Sequence, residues 1–481
     1  MNPYIQSIQN YINRNSAVFT SLSDDIWAHP ELSLQEHYAA ERYQALLRDH
    51  GFQVTENLGG IATAFCGSFG QGKPVIGILG EFDALSGLSQ AGGVAEPQAL
   101  EPGGCGHGCG HNLLGAGSLA AAFAVKHILE ETGLPGTVIF FGCPGEEGGA
   151  SKAFLARDGL WAQLDAALTW HPSDVNETRT GTNNSSIQVL YKFHGVAAHA
   201  ATAPAHGRSA LDAVELMNLG VQFLREHMED CCRVHYAILD AGGVSPNVVQ
   251  PEASVLYMVR ADRVQRSLDL QARVDKIAQG AALMTETTLE RIFIDGTADL
   301  LPNFALEDLL HKNLEAMGLP GYTPAELDFA AALKATYAVS GLPGCGPRFD
   351  SSLARWMREK TENLTRPLND FVLPACHSNQ FTAGSTDVGD VSWLTPTAQI
   401  ETVCFPSGAP GHSWQNVSCG RTSIAHKGLL YAAAVLAATA LDLLTDPETL
   451  AAVRAEYKAR SAEGYVCPIE PDAVPRIAGE A

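Results

Sequence analysis

The densest group of chemically reactive side chains lies between Cys105 and Asn112, in the order Cys-Gly-His-Gly-Cys-Gly-His-Asn. Glycines separate the thiols and imidazoles, so the backbone can fold tightly and direct several donors at one point. Thiolate and imidazole are ligands that Zn²⁺ and related ions prefer. A c-type haem site needs the spacing C-x-x-C-H, and a structural zinc site would need a second paired-ligand cluster, which is missing downstream. The stretch therefore predicts a metal site.

Acidic and histidine side chains follow three predicted strands, at the point where each strand ends. They are Glu81 and Asp83 after strand 75–80, Glu146 and Glu147 after strand 137–143, and His171 after strand 166–170. Ligands of parallel α/β sheets bind beyond the carboxyl ends of the strands. Any one of these residues alone is typical of a solvated loop. Together, beside the Cys/His stretch, they predict an active site.

The order of predicted elements indicates an α/β fold with a mixed, largely parallel sheet and a second domain inserted into the first. Strands alternate with helices before about residue 186, and the chain returns to this domain near residue 301, with a further strand at 398–405 and a long helix at 423–444. Between these points the predicted order is β-α-β-β-α-β, which is that of a ferredoxin-like unit. We therefore predict a catalytic domain made of residues 1–185 and 301–481, and an inserted domain at 186–300.

Local patterns add several expectations about single elements. Helices are predicted at 4–11, 21–27 (with Ser21 as its cap), 36–50, from Asn112 onward, at 148–157 and at 423–444, and a strand at 61–69. Gly67 to Lys73 has the glycine and lysine spacing of a phosphate-binding loop, but it leads into a strand rather than a helix, so that interpretation is rejected. The segment 318–379 carries no assignable chemistry, and the chain after Glu463 is expected to lack regular structure.

Composition narrows the classes of protein that fit. The 481 residues are 46% hydrophobic, without an N-terminal apolar segment or an uninterrupted apolar stretch of membrane-spanning length, so neither a signal peptide nor a membrane partner is expected. The eleven cysteines are odd in number and scattered, which favours a reducing compartment, here the cytoplasm. A net charge of −22 argues against a nucleic-acid partner, which would need a basic face.

Several long motifs resemble the di-metal aminoacylase and carboxypeptidase G family of metallohydrolases, in the amidohydrolase branch that includes the auxin-conjugate hydrolases. The resemblance covers nearly the whole chain. The motifs begin at Gly80 (Gly-Glu-Phe-Asp-Ala-Leu), His107 (His-Gly-Cys-Gly-His-Asn-Leu-Leu), Gly142 (Gly-Cys-Pro-Gly-Glu-Glu-Gly-Gly), Leu168 (Leu-Thr-Trp-His-Pro), Ala197 (Ala-Ala-His-Ala), Ser385 (Ser-Thr-Asp-Val-Gly-Asp-Val-Ser-Trp) and Gly420 (Gly-Arg-Thr-Ser-Ile-Ala-His-Lys-Gly).

The resemblance implies two divalent metal ions per chain, Mn²⁺ or Zn²⁺, with a thiolate where the peptidase branches have a bridging aspartate. The metal ligands that it implies are Cys109, His111, Glu147, His171 and His412. Glu146 resembles the family's general base, although two adjacent glutamates could instead both be ligands or both be solvated. Asp83 is expected to support a ligand. Cys105 and His107 match no ligand and are expected either to pack the loop or to support a ligand from behind.

The resemblance also assigns roles to the inserted domain, as a lid and a dimerisation domain. His199 lies in the motif that family dimers use to reach a partner's active site and stabilise the oxyanion. Asn247 and Arg260 have the family's spacing for a pair that holds the substrate's α-carboxylate, which the planar guanidinium suits. A packed histidine and a surface salt bridge are the alternatives. A homodimer through the inserted domain is expected, or a heteromer with a homologous A-type subunit.

The activity implied is hydrolysis of the amide that joins an acyl or aroyl group to an amino acid, with p-aminobenzoyl-glutamate as the expected substrate. A dipeptidase or a general N-acyl amino acid amidohydrolase on the same scaffold is the enzymatic alternative. The other alternative is a non-catalytic subunit of a heteromeric hydrolase. A degenerate subunit would be expected to have lost ligands or the base, and every one of them is present in this sequence.

Overall fold

The computed structural model describes residues 2–476, which form two large sheets and the helices that cover them. The helices are α1 (Ile5–Arg14), α2 (Ser16–Ala28), α3 (His37–Asp49), α4 (His111–Thr132), α5 (Ser151–Arg157), α6 (Ala210–Leu224), α7 (Val264–Thr285), α8 (Phe304–Met317), α9 (Pro324–Lys334), α10 (Gly346–Phe349), α11 (Ser351–Lys360), α12 (Val388–Ser392), α13 (Trp414–Cys419), α14 (Ser423–Thr445) and α15 (Pro447–Arg460). The strands are β1 (Gln53–Glu56), β2 (Phe65–Gln71), β3 (Val75–Gly80), β4 (Gly136–Gly142), β5 (Ala166–Ser173), β6 (Glu177–Thr178), β7 (Thr182–Asn183), β8 (Ser185–His194), β9 (Ala198–His199), β10 (Arg233–Asp240), β11 (Val248–Val249), β12 (Glu252–Ala261), β13 (Thr288–Thr297), β14 (Phe381–Thr382) and β15 (Thr397–Val403).

The larger sheet has seven strands in the order β1-β2-β4-β3-β5-β15-β6. Its four central strands, β4, β3, β5 and β15, run parallel, whereas β1, β2 and β6 join antiparallel. Central parallel strands are covered on both faces, which explains the continuous apolar sequences of β3 and β4. The predicted mixed sheet is confirmed. Because the central strands are parallel, their carboxyl ends meet at one edge, where the motifs lie.

Two long helices, α4 and α14, pack against each other and against β3 and β5 on one face of this sheet. By length and composition alone both could cross a membrane, but 89% of the most apolar window of α4 and 83% of that of α14 are buried inside the fold. Their position in the core accounts for their alanine-rich, apolar sequences.

The second sheet is antiparallel, in the order β10-β12-β8-β13, with α6 and α7 packed on it. Its elements occur along the chain as β8-α6-β10-β12-α7-β13, which is the predicted β-α-β-β-α-β order. Strand β10 lies at the edge of the sheet and is exposed at seven of its eight positions. The treatment of residues 186–300 as a separate domain stays a prediction.

Three elements start three or more residues away from their predicted positions. Ser21 does not cap α2, which starts at Ser16 because its buried face already includes Phe19. The strand expected from residue 61 starts at Phe65, after a 3-10 turn at Leu58–Gly60. The helix expected from residue 148 starts at Ser151, because Gly149 (φ 131°) and Ala150 (φ 45°) have left-handed backbone. Residues 464–476 have no helix or strand, as predicted.

Candidate metal centre and active-site cavity

Gly110 places two of the predicted metal ligands next to each other at the start of α4. Its φ is 85°, a left-handed value that glycine adopts without steric cost. A Cβ at this position would lie 3.0 Å from Phe405 and 3.1 Å from Pro172. The backbone angle therefore favours glycine, and a side chain here would also crowd these two neighbours. The turn leaves Cys109 just before the helix and His111 as its first residue.

The five side chains predicted as metal ligands form two groups that share one sulfur atom. In the first group, donor atoms of Cys109, His111 and His171 lie within 4.8 Å of one another, and in the second the same holds for Cys109, Glu147 and His412. The thiol of Cys109 is 3.3 Å from Nε2 of His171. Nε2 of His412 is 3.3 Å from Oε1 of Glu147. The structure thus brings all five side chains together.

The donor atoms of this cluster fit two divalent ions. Nε2 of His111 and Oε1 of Glu147 are buried and form no hydrogen bond within the described residues. Buried polar atoms are normally paired, so one unpaired atom in each ligand group indicates a missing partner in each. One thiolate, three imidazoles and one carboxylate form a donor set that Zn²⁺ accepts, and the carboxylate leaves Mn²⁺ open. Without an ion, burial and Glu147 raise the pKa of the Cys109 thiol, and a bound cation would reverse that effect.

Asp83 supports the cluster from behind, in the position predicted for it. Its Oδ1 is 2.8 Å from Nδ1 of His111. Its Oδ2 accepts hydrogen bonds from the hydroxyl of Ser33 at 2.8 Å and from the backbone N–H of Glu147 at 2.9 Å. A carboxylate on the far nitrogen of a ligating histidine fixes the ring and increases its basicity. Asp83 therefore orients a ligand of each group.

Glu146 lies beside the cluster without belonging to either group of ligands. Its carboxylate is within 4.8 Å of both Glu81 and His111. Burial, together with the charges of Glu81 and Glu147, raises the pKa of Glu146 well above its usual range. A buried carboxyl group with a raised pKa can both take up and release a proton near neutral pH. The position and environment therefore suit a general base.

A buried ionic network behind Glu146 was not predicted. Lys152 is fully buried, and its Nζ is 2.8 Å from Oε1 of Glu81 and 2.6 Å from Oδ1 of Asp387. Glu81 carried a signal in the sequence because it directly follows β3, and Asp387 lies in the motif that begins at Ser385, but Lys152 carried none. Lys152 and Asp387 are 235 residues apart, and no local pattern relates them.

The cluster lies where two cavities meet. The inner arm, of about 190 Å³, extends along the large sheet past Thr169, Arg179 and Gln399. The outer arm, of about 400 Å³, extends to the second sheet. The residues that line both arms are Glu146, Glu147, Gly384, Ser385, Thr386 and His412. A substrate bound across both arms would therefore pass directly over Glu146 and the metal ligands.

The outer arm carries one cationic and one acidic side chain from two strands of the second sheet, β12 and β13, which lie on either side of β8. Arg260 lines it, and its Nη1 donates to the hydroxyl of Ser385 at 2.9 Å. Asp295 also lines it and accepts hydrogen bonds from Nε2 of Gln188 at 2.9 Å and from the N–H of Gly149 at 3.2 Å. Burial raises the pKa of Asp295 to about 6. This arm can thus hold an anionic group beside a polar one.

His199 and Asn247 lie together elsewhere on the second sheet's side of the molecule. Strand β9 places His199 opposite Val248 of β11, and the N–H of Ala200 donates to the carbonyl of Asn247 at 3.0 Å. Both side chains are exposed. Among the described residues, the set that lines the two arms includes Arg260 but neither His199 nor Asn247. Within one chain, therefore, the structure does not bring the predicted pair Asn247 and Arg260 to the same cavity.

His107 lies outside both ligand groups. It is buried, its Nε2 is 3.2 Å from the carbonyl oxygen of Ile26, and burial lowers its pKa to about 4. A neutral histidine held against α2 fits the predicted packing role. Cys105, at the start of the same loop, is half-buried and belongs to neither group.

Comparisons with known proteins agree with this geometry. Residues 77–403 match the peptidase family M20/M25/M40. The chain is 46% identical to the B-type subunit of p-aminobenzoyl-glutamate hydrolase from Escherichia coli (strain K12) over 479 residues, which cover 97% of this chain and 98% of that protein. It is 27% identical to the Xaa-Arg dipeptidase of Homo sapiens, over 92% of this chain and 89% of that one.

The fold also resembles that of solved structures. The YXEP protein of Bacillus subtilis, described as a dinuclear metal binding peptidase from the M20 family, superposes with a TM-score of 0.53 at 16% identity, over 90% of this chain and 99% of that one. At this identity the likeness concerns the fold alone.

Proposed function

This chain belongs to the peptidase family M20/M25/M40 and is a metallo-amidohydrolase, and from that premise we propose that it hydrolyses N-acyl or N-aroyl amino acids, with p-aminobenzoyl-glutamate as its substrate. The observation that carries the proposal is the pair of ligand groups sharing Cys109, set beside Glu146 in a cavity that reaches Arg260. The name of the Escherichia coli relative, a p-aminobenzoyl-glutamate hydrolase, supports this choice of substrate.

Two divalent ions, Mn²⁺ or Zn²⁺, would be held by Cys109, His111, Glu147, His171 and His412. When bound, such a pair supplies Lewis-acid chemistry, polarising the substrate's carbonyl and acidifying water. The chain's own contribution is orientation, since Asp83 fixes the ring of His111 and the backbone of Glu147. This support keeps the donor atoms in place before a substrate arrives.

Glu146 moves the proton in the proposed reaction. Its carboxylate takes a proton from the attacking water as the carbon–oxygen bond forms at the substrate's carbonyl. The same carboxyl group then gives that proton to the amide nitrogen as the carbon–nitrogen bond breaks, so that the amino acid leaves as an amine. The carboxylate of Glu146 lies within 4.8 Å of the proposed ligand His111, which places it beside the reacting atoms in both halves of the transfer.

Arg260 binds the α-carboxylate of the amino acid in this proposal, with the acyl group in the inner arm. Replacing Arg260 by Ala should raise KM by roughly 10- to 100-fold, since a hydrogen bond to a charged group contributes about 1.5–3 kcal/mol. The value of kcat should change much less. Steady-state kinetics measures both, and Arg273→Ala, an exposed arginine on α7, is the matched control. An unchanged KM would mean that the carboxylate binds elsewhere.

Asp295 supports a second candidate function. A buried carboxylate in the same arm as Arg260 could pair with the basic side chain of a dipeptide's C-terminal residue. The name of the human relative, Xaa-Arg dipeptidase, points the same way. The test is to compare kcat/KM for p-aminobenzoyl-glutamate with that for dipeptides ending in lysine or arginine. A preference for the aroyl substrate supports the first function, and the reverse preference supports the dipeptidase.

Residues 186–300 act as lid and dimerisation domain in this proposal. The exposed edge strand β10 displays Tyr236, Ile238 and Leu239 at 42%, 45% and 47% exposure, and an unpaired edge can extend into a partner's sheet. The partner is a second copy, or an A-type subunit, because the Escherichia coli relative is named as one subunit of its hydrolase.

All eleven cysteines are free, which supports the cytoplasm as the location.

His199 and Asn247 would then complete the active site of the partner chain. Inactive His199→Ala protein mixed with inactive Glu146→Gln protein should regain part of the activity, because a mixed dimer has one site with both groups intact. The measurement is turnover after mixing, with subunit exchange followed by labelled chains. Each variant mixed with itself serves as the control. Exchange without recovered activity would show that His199 acts within its own chain or not at all.

A further inference from the structure

The buried network around Lys152 connects three separate segments of the chain. Lys152 stands in the first turn of α5, and its Nζ contacts Glu81 at the end of β3 and Asp387 just before α12. Its backbone N–H also donates to Oδ2 of Asp387 at 2.9 Å. Burial alone would lower the pKa of Lys152, but Asp387 and Glu81 hold it well above its usual range, so the ammonium is charged.

Glu81 connects this ammonium to the metal centre. One of its oxygens, Oε1, contacts Lys152, and the other, Oε2, is 3.4 Å from Nε2 of His111. That nitrogen is the atom of His111 that would face an ion, since Nδ1 is held by Asp83. The carboxylate of Glu81 is also within 4.8 Å of Glu146. Glu81 therefore touches a proposed ligand and lies close to the proposed base.

The other end of the network reaches the cavity wall. Asp387 directly follows the segment 384–386, which lines both arms of the cavity.

Removing one partner of a buried ion pair leaves an uncompensated charge, which is strongly destabilising. Without Lys152, the carboxylate of Glu81 would lose its only contact with a cationic lysine or arginine among the described residues. It would then be free to turn toward the ions or toward Glu146.

We propose that Lys152 is a positioning residue: it holds Glu81 in an orientation that leaves His111 placed as a metal ligand and Glu146 placed for proton transfer. The proposal rests on the proposed hydrolytic function. Lys152 and Arg260 then have different roles: Lys152 supports the reacting centre, whereas Arg260 binds the substrate. Loss of Lys152 should therefore lower kcat and leave KM nearly unchanged.

The test compares Lys152→Met with the double variant Lys152→Met/Asp387→Asn. In the double variant the loss of the buried cation is balanced by the loss of one buried anion. Melting temperature, kcat, KM and the visible absorption spectrum of the Co²⁺-loaded protein are measured for both. Lys152→Met should melt lower and lose about 10- to 100-fold in kcat, the usual cost of losing a group that supports metal ligands. The double variant should recover the melting temperature but not kcat. In both, the Co²⁺ spectrum should differ from that of the wild type, because Glu81 has moved.

Recovery of wild-type kcat by the double variant would overturn the proposal, since it would show that Lys152 only balances charge. A wild-type Co²⁺ spectrum in both variants would overturn it as well. These outcomes differ from failure of the proposed function. If wild-type protein releases nothing from p-aminobenzoyl-glutamate, the substrate assignment fails, whereas the Co²⁺ spectra still decide whether Lys152 positions Glu81.

Discussion

Replacing Glu146 by Gln should lower kcat by about 10²- to 10⁴-fold, the range for loss of a general acid–base group, while both ions stay bound. The amide has nearly the size of the carboxylate but cannot take a proton from water. Glu146 belongs to neither ligand group that contains Cys109, so its replacement should not remove a ligand. The measurement combines steady-state kinetics with metal content per chain.

The neighbouring residue provides the matched control. Glu147→Gln changes the same functional group one position along, but Glu147 belongs to the group with Cys109 and His412. It should lose activity together with bound metal, and added Mn²⁺ or Zn²⁺ should restore part of the activity. Glu146→Gln should not respond to added metal. Retained turnover in Glu146→Gln would remove this residue as the base.

Replacing Cys109 by Ala should abolish binding of both ions at once. Its sulfur is the only donor atom common to the two ligand groups, so its loss leaves each ion with two protein ligands. Activity should fall by more than about 100-fold. Loss of a residue that only supports a metal ligand lowers activity by up to about 100-fold, and loss of the ligand itself should cost more. Metal titration followed by calorimetry, and turnover at saturating metal, measure the two effects.

Cys105→Ala is the control for that variant. Cys105 lies in the same glycine-rich loop but outside both ligand groups, so metal binding and turnover should match those of the wild type. If Cys109→Ala still bound two ions with wild-type affinity, the assignment of Cys109 as a ligand shared by both ions would be wrong. If it lost one ion only, Cys109 would serve a single ion rather than both.

The parts of the site that could be predicted from the sequence are those with a local signal. Cys109 and His111 are separated by one glycine at the start of a helix, a pattern that indicates ligands by itself. Glu147 follows β4 and His171 lies near the end of β5, and the parallel order of the central strands brings these ends to one edge. The placement of His412 depended on the family resemblance, since its loop has no periodic pattern.

The rest depends on contacts between distant segments, which local patterns do not report. Lys152 was indistinguishable from an exposed helical lysine, yet it is fully buried. Asp295 is a single acidic residue near the end of β13, and only the packing of the second sheet against the cavity makes it part of the outer arm. The start of α2 was missed for a related reason, since Phe19 becomes part of the core only when α2 packs against α4.

The most direct test of the central claim is the release of p-aminobenzoate from p-aminobenzoyl-glutamate by this chain alone. Metal-stripped protein is compared with protein to which Mn²⁺ or Zn²⁺ has been returned. We expect no release from the stripped protein, and release after one or both ions are restored. Equal release with and without metal would contradict the proposed metal centre. No release with any ion would contradict the proposed activity of this chain toward that substrate.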